Sequence, residues 1–291
     1  MNGFLCVLKP PGMTSSDVVV RVRRKLGGRE KVGHAGTLDP EASGVLPLMI
    51  GKAARLFDYM VDKEKTYVAE LVPGYSTDTQ DVHGQITAGS GEAFTREALE
   101  RVLPRFIGEI GQIPPMFSAL KRDGQKLCDL ARQGIALDVA PRPTQVYAID
   151  VLNEQEGRFL IRVRCGRGTY IRTLCHDIGE AAGCHACMGM LLRTQTGSFT
   201  LDETHTIEEI DAAEEMTPLL TAMDRPLAHL PALTVAPEAE RFVRNGNELR
   251  RRQFSGEAAQ GESARVYLNG RFAGIGRIRG EGLCFDAMLL E

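Results

Sequence analysis

The sequence predicts an α+β fold with a largely antiparallel sheet, followed by a small β-rich module. Three observations carry this. Short strand-like runs are interleaved with segments of helical period. "LPALTVAP" (230–237) is Pro-rich and linker-like, and it divides the chain near residue 232. Beyond it, "ARVYLNGRFAGIGRI" contains two strands joined by Asn269-Gly270, a strong hairpin signal. The expected domains are therefore 1–232 and 233–291.

The elements follow in order. "FLCVL" (4–8) is a short buried strand stopped by "KPPG". "TSSD" offers N-cap residues, and Val18, Val19, Val22 and Leu26 form a helical stripe. A Gly-rich loop, 33–44, comes next, and "KTYVAELVPG" (65–74) is a strand ending at Gly74. Thr95 caps a helix with Ala98, Leu99, Val102, Leu103 and Phe106 on its apolar face, and Pro104 leaves its end open. "QIPPMFSALKRDGQ" (112–125) is a loop, because adjacent prolines remove donors. A helix over 126–133 follows, with Gly134 behind it. "RFLIRVRC" (158–165) alternates apolar residues with Arg162 and Arg164, as a half-buried strand does. A helix from Ile171 carries Leu174, Ile178 and Ala181 on one face and stops at Gly183. "TIEE" (206–209) is a capping box.

Composition narrows the class. With 43 % hydrophobic and 25 % charged residues, 291 residues make an ordinary globular chain rather than a disordered one. The N-terminus has no signal-peptide pattern, and no apolar run reaches membrane-spanning length, so a cytoplasmic protein is expected. The seven cysteines fit free thiols in a reducing compartment better than a disulfide framework. The net charge of −3 argues at first against nucleic acid, but charge is segregated. Residues 201–240 hold ten acidic residues against one arginine, which leaves a positive surplus elsewhere. "RVRRKLGGREK" (21–31) and "RFVRNGNELRRR" (241–252) are its densest runs, and local basic faces are what phosphates meet.

Two motifs are decoys. "GVLPLMIGKAA" (44–54) fails as a phosphate-binding loop, because Gly44 and Gly51 are spaced too widely and Ala53 stands where a hydroxyl must bind magnesium. "CHDIGEAAGCHAC" (175–187) holds a CxxC with histidines nearby, but no second ligand pair at zinc spacing. Its thiols are read as small core hydrophobes, and no metal is expected. "GHAGTLDPEASGVL" (33–46) suits neither helix nor strand in its first half. By itself Asp39 before Pro40 is a turn residue. His34, Tyr67 and Arg172 are equally unremarkable one at a time.

Together with "KPPGMTS" (9–15), "KTY" (65–67), "GYSTDTQD" (74–81), "QIPPMFSALKRDGQ", "GTYIRTL" (168–174) and "LLRTQTGSF" (191–199), that stretch resembles the TruB-type tRNA pseudouridine synthases. Seven motifs in the family's order are highly specific, and they cover most of residues 1–230. The tail is similar to the β-barrel PUA module that binds RNA. Departures are Cys128, where a tyrosine is common, and Cys187, expected in a variable helix.

The resemblance implies the pseudouridine synthase fold, with a mixed sheet flanked by helices, and isomerisation of uridine 55 in the T-loop of tRNA. Asp39 matches the family's aspartate nucleophile, and Arg172 the arginine that pairs with it. Tyr67 matches a residue that stacks on the base and takes the C5 proton, Tyr170 a second pocket aromatic, and Leu191 an apolar wall. The uridine must be flipped out, and His34 matches the histidine that fills space left by the rearranged T-loop. Lys9 and Lys121 are expected on the RNA, with 114–134 as a mobile thumb. No redox step occurs, so no cofactor is implied. The expected partner is the tRNA T-stem-loop; the enzyme is expected to be a monomer needing no membrane or protein partner, and a tRNA-folding role is open. Three rivals stand beside this: a guide-RNA-dependent relative, a silent RNA-folding protein, and a uridine methyltransferase. The short N-terminus disfavours the first, the complete set of site residues the second, and the lack of a cysteine placed beside a base the third.

Overall fold

The computed structural model describes residues 1–61, 63–91, 94–122, 124–135 and 137–290. Its centre is a nine-stranded sheet. Along the main path the strands lie in the order Gly3–Lys9, Ser43–Ile50, Ala186–Thr196, Lys65–Pro73, Arg158–Cys165, Arg142–Gln155, Gly108–Gln112. Every neighbouring pair is antiparallel except one. Ser43–Ile50 meets Ala186–Thr196 in parallel over a short contact, with Arg193 opposite Gly44. The sheet is thus mixed and largely antiparallel, as expected.

The strands Gly3–Lys9 and Ser43–Ile50 are buried along nearly their whole length because both faces are covered. In Gly3–Lys9, Leu5 and Val7 join one core with the helices Ser15–Lys25 and Ile171–Ala182. Phe4 and Cys6 point the other way, into a second core with Val45, Met49 and Phe199. Thr14 caps Ser15–Lys25 in a reciprocal box with Asp17. Ile171–Ala182 stops at Gly183, whose φ of +80° suits glycine. The Arg96–Val102 helix passes into a 3-10 turn holding Pro104, and Leu127–Arg132 forms the short helix expected after the double proline.

Six strands from Ala232–Val235 to Gly282–Met288 build a separate, barrel-like sheet with its own core around Val235, Val243 and Val266. Asn269 and Gly270 both have positive φ, as a tight hairpin turn requires. Ile275 and Ala287 of this sheet, with Leu289 just beyond its last strand, share the second core with Phe4 and Met49, so it packs directly on the large sheet. One expectation is corrected: Cys187 lies in the Ala186–Thr196 strand, not in a helix, because Gly183 ends the helix before it. Among the described residues no helix is long and apolar enough to cross a membrane.

Candidate active site

Asp39 sits in a loop, 35–42, between the Val32–His34 and Ser43–Ile50 strands. This loop has no regular period because its own carbonyls are tied down by side chains from elsewhere. Ser15 both accepts from the Leu38 N–H at 2.8 Å and donates to the Leu38 carbonyl at 3.1 Å. Lys9 Nζ donates to the carbonyls of Pro10, Pro40 and Ala42 at 2.6–2.8 Å. Arg193 donates to the carbonyls of Val45 at 2.7 Å, Gly36 at 3.2 Å and Thr37 at 3.3 Å. The Asp39 carboxylate is left free to point outward, with its side chain 38 % exposed.

Arg172 comes from the first turn of the Ile171–Ala182 helix and is almost fully enclosed. Its Nε and Nη2 donate to the two oxygens of Asp39 at 2.8 and 3.3 Å, the bidentate fork that suits a carboxylate. The same guanidinium donates to the carbonyls of Thr79 and Phe117 at 2.9 and 2.8 Å. Asp81 stands 3.9 Å away as a second carboxylate. Arg172 thereby ties together the Asp39 loop, the 78–81 turn and the start of the expected thumb. Gln112, which the sequence reading passed over, clamps the Tyr170 backbone from both sides, accepting from its N–H at 2.9 Å and donating to its carbonyl at 3.2 Å.

Two cavities meet at this pair. One, of about 360 Å³, is lined by Tyr67, Tyr170, Leu191, Arg193 and Lys65. The other, of about 740 Å³, opens towards Lys126, Cys128, Asp129 and Arg132. Asp39, Arg172, His34, Ser118 and Leu191 line both. The smaller cavity is at the size of a small-ligand site. Leu191 and Arg193 face it because the Ala186–Thr196 strand slips register between Met188 and Leu191, and a bulge re-aims the side chains that follow. Burial pushes the Tyr67 and Tyr170 phenols up, whereas His34 is pushed down by burial and then by Arg193, which favours its neutral form. Seven of the described cavity and loop residues named from sequence thus converge, all but Lys121 and the exposed basic runs.

Lys9 is a correction. Its side chain is fully buried against the three carbonyls, so it holds the Asp39 loop and is not available to RNA. Burial pulls its pKa down to about 8 despite Glu41 and Asp39 nearby. Lys9→Met is expected to leave three carbonyls without a donor and to lower stability by roughly 1–3 kcal/mol or more. An unchanged melting temperature in thermal unfolding would contradict this. Lys121 lies exposed on a two-residue ladder, pairing with Lys126, and outside both cavities. Part of the first basic run is also used internally, because Arg21 Nε donates to Asp211 at 3.0 Å and Lys25 Nζ to the Asp211 carbonyl at 2.7 Å. The acidic segment therefore neutralises some of that face. Cys175 and Cys187 are buried, which raises both thiols, and among the described residues no three His, Cys, Asp or Glu side chains are grouped to hold a metal.

Comparison with known proteins agrees on one family. A model described as "TruB family pseudouridylate synthase (N terminal domain)" matches residues 23–171. "tRNA pseudouridylate synthase B C-terminal domain" matches 172–228, and "Pseudouridine synthase II TruB, C-terminal" matches 231–285. The tRNA pseudouridine synthase B of Alkaliphilus oremlandii is 43 % identical over 97 % of this chain and 94 % of its own. That of Dechloromonas aromatica is 42 % identical, covering 100 % of this chain and 96 % of its own. A solved structure of an H/ACA ribonucleoprotein bound to a substrate RNA containing 2'-deoxyuridine aligns with a TM-score of 0.76 at 25 % identity, over 99 % of this chain and 85 % of that one.

Proposed function

Because the chain belongs to the TruB family of pseudouridylate synthases, we propose that it isomerises uridine 55 in the T-loop of tRNA to pseudouridine, by base flipping and without a cofactor. The observation that carries this reading is the bidentate Asp39–Arg172 pair at the wall shared by two cavities. The reaction breaks the C1′–N1 bond, turns the uracil and joins C5 to C1′. It needs a carboxylate held beside the sugar, and the Arg172 fork fixes the orientation of both Asp39 oxygens. The smaller cavity offers the base an aromatic and an apolar wall, Tyr67, Tyr170 and Leu191. Tyr67 is the base that takes the C5 proton. His34, neutral and lining both cavities, fills space left by the rearranged T-loop. The larger cavity, edged by Lys126 and Arg132, receives the RNA strand around it.

Residues 114–134 act as a thumb that orders over the RNA, with Lys121 on its exposed ladder. Residues 1–232 form the catalytic domain and 233–291 the RNA-binding module, a division supported by the separate sheet and core. The exposed arginines of 241–252 provide the module's phosphate contacts. The enzyme acts in the cytoplasm as a monomer without a protein partner. The deciding experiment uses purified chain and an unmodified tRNA transcript carrying C5-tritiated uridine. Stoichiometric tritium release mapped to position 55, with no guide RNA added, is the expected result. No release, or release mapped elsewhere, would refute the assignment.

A further inference from the structure

Among the described residues of the site two cations, Lys9 and Arg193, are fully buried on neutral carbonyls, and of the two only Arg193 lines the smaller cavity. Its side chain is fully buried, and among the described residues no carboxylate lies within ion-pair distance. Three neutral carbonyls satisfy its donors but do not neutralise it. An enclosed charge in that condition is unfavourable unless another group uses it. The strand register says which. Arg193 stands directly opposite Tyr67 on the neighbouring antiparallel strand, and both line the smaller cavity. On its other side the backbone of Gly44 approaches so closely that a Cβ there would lie 2.2 Å from the Arg193 carbonyl. The backbone at Arg193 is therefore fixed, and the carbonyls of Gly36, Thr37 and Val45 hold its guanidinium at the Asp39 loop, in the cavity that Tyr67 also lines.

We propose that Arg193 is a positioning residue for the isomerisation, its uncompensated guanidinium supplying the counter-charge that lets Tyr67 act as a phenolate base. The inference rests on the reading of Tyr67 as the base. Once C5 has bonded to C1′, it still bears its hydrogen, and the ring holds an N1=C6 double bond. The Tyr67 phenolate takes that proton. The C5–H electron pair forms C5=C6, the N1=C6 pair moves onto N1, and N1 takes a proton from the tyrosine, which regenerates the phenolate. One proton has moved from C5 to N1, and nothing is oxidised or reduced. Burial pushes the Tyr67 phenol up, and Arg193 is the largest influence working against it. The other charged or titratable groups facing that phenol are Asp39 from the loop, Cys165 from the next strand, Lys65 from its own strand, and His34, Arg167, Tyr170 and Arg172 around the cavity. Asp39 and Cys165 disfavour the phenolate.

Arg193→Gln keeps amide donors for the carbonyls but removes the charge; Arg193→Met removes both; Arg193→Lys keeps the charge and loses the fork. Single-turnover rates are measured against pH on tRNA transcripts with protium or deuterium at C5 of the reactive uridine. The neutral variants are expected to slow by roughly tenfold or more at neutral pH, since proton transfer is worth about 10²–10⁴-fold. They should also gain a C5 deuterium isotope effect, and the acid limb of the profile should move to higher pH. The lysine variant should keep the limb near its wild-type position. If all three slow alike, with no isotope effect and an unmoved limb, Arg193 only props the loop and the proposal falls. A chain that folds with lysine but with neither neutral side chain would assign the charge to folding and overturn it too. Inactive wild-type protein would instead defeat the functional reading itself.

Discussion

Asp39→Asn is expected to bring pseudouridine formation below detection, a loss on the order of 10⁴-fold or more for a lost nucleophile, while tRNA affinity changes by no more than about threefold. The geometry separates chemistry from folding here. The loop is held through the carbonyls of Gly36, Thr37, Leu38, Pro40 and Ala42, none of which depends on the Asp39 side chain. The Asp39 carbonyl still accepts from the Ala42 N–H at 3.1 Å. Asparagine keeps the size and one acceptor oxygen, but its amide nitrogen would face an Arg172 donor, so one arm of the fork is lost. A residue that merely shapes a turn would tolerate this change, since Asp and Asn serve turns equally. Melting temperature near wild type with no product in a single-turnover assay is the expected pair of results. Substantial pseudouridine formation by the variant would sink the role given to Asp39.

What could be read in advance follows from the range of each signal. Thr14 with Asp17, Gly183 and Asn269-Gly270 act within a few residues, so the start, stop and turn they mark were legible. The Asp39–Arg172 pair joins positions 133 apart and has no local pattern, so it was accessible only through family resemblance. Of the strands that went unread, among them Gly108–Gln112, Gly282–Met288 and the Ala232–Val235 strand inside the expected linker, three show the reason plainly. Ser43–Ile50 contains Pro47, which looks like a break, yet its carbonyl accepts from Ala35. Ala186–Thr196 and Arg142–Gln155 each slip register twice, which spoils the period-2 alternation. Lys9 and Arg193 were missed as buried cations because the carbonyls that enclose them arrive from Gly36 to Val45, through sheet pairing that a local reading does not contain. A lysine before two prolines and an arginine in a polar run both look like surface residues.

Arg172→Met is the second large effect expected, with a loss on the order of 10²–10³-fold in single-turnover rate. The guanidinium makes four hydrogen bonds to three separate segments: two to Asp39 and one each to the carbonyls of Thr79 and Phe117. Methionine fills the volume but makes none of them. Asp39 then loses both its fixed orientation and its ion-pair partner, so a smaller fraction of encounters place the carboxylate correctly at the sugar. Asp39 is 38 % exposed and water can solvate it, so the stability loss should come chiefly from the Thr79 and Phe117 carbonyls left without their donor, roughly 1–3 kcal/mol. Arg172→Lys keeps the charge without the planar fork and should fall between wild type and Asp39→Asn. The Phe117 contact adds a readout that a purely electrostatic role would not move. With its carbonyl released, the segment that begins the thumb loses its anchor to the helix, so amide exchange across 113–122 should quicken in Arg172→Met without RNA. Activity within a few fold of wild type in the methionine variant would show that Asp39 is oriented by other groups. Slowed turnover with unchanged exchange would leave Arg172 pairing with Asp39 but not fastening the thumb.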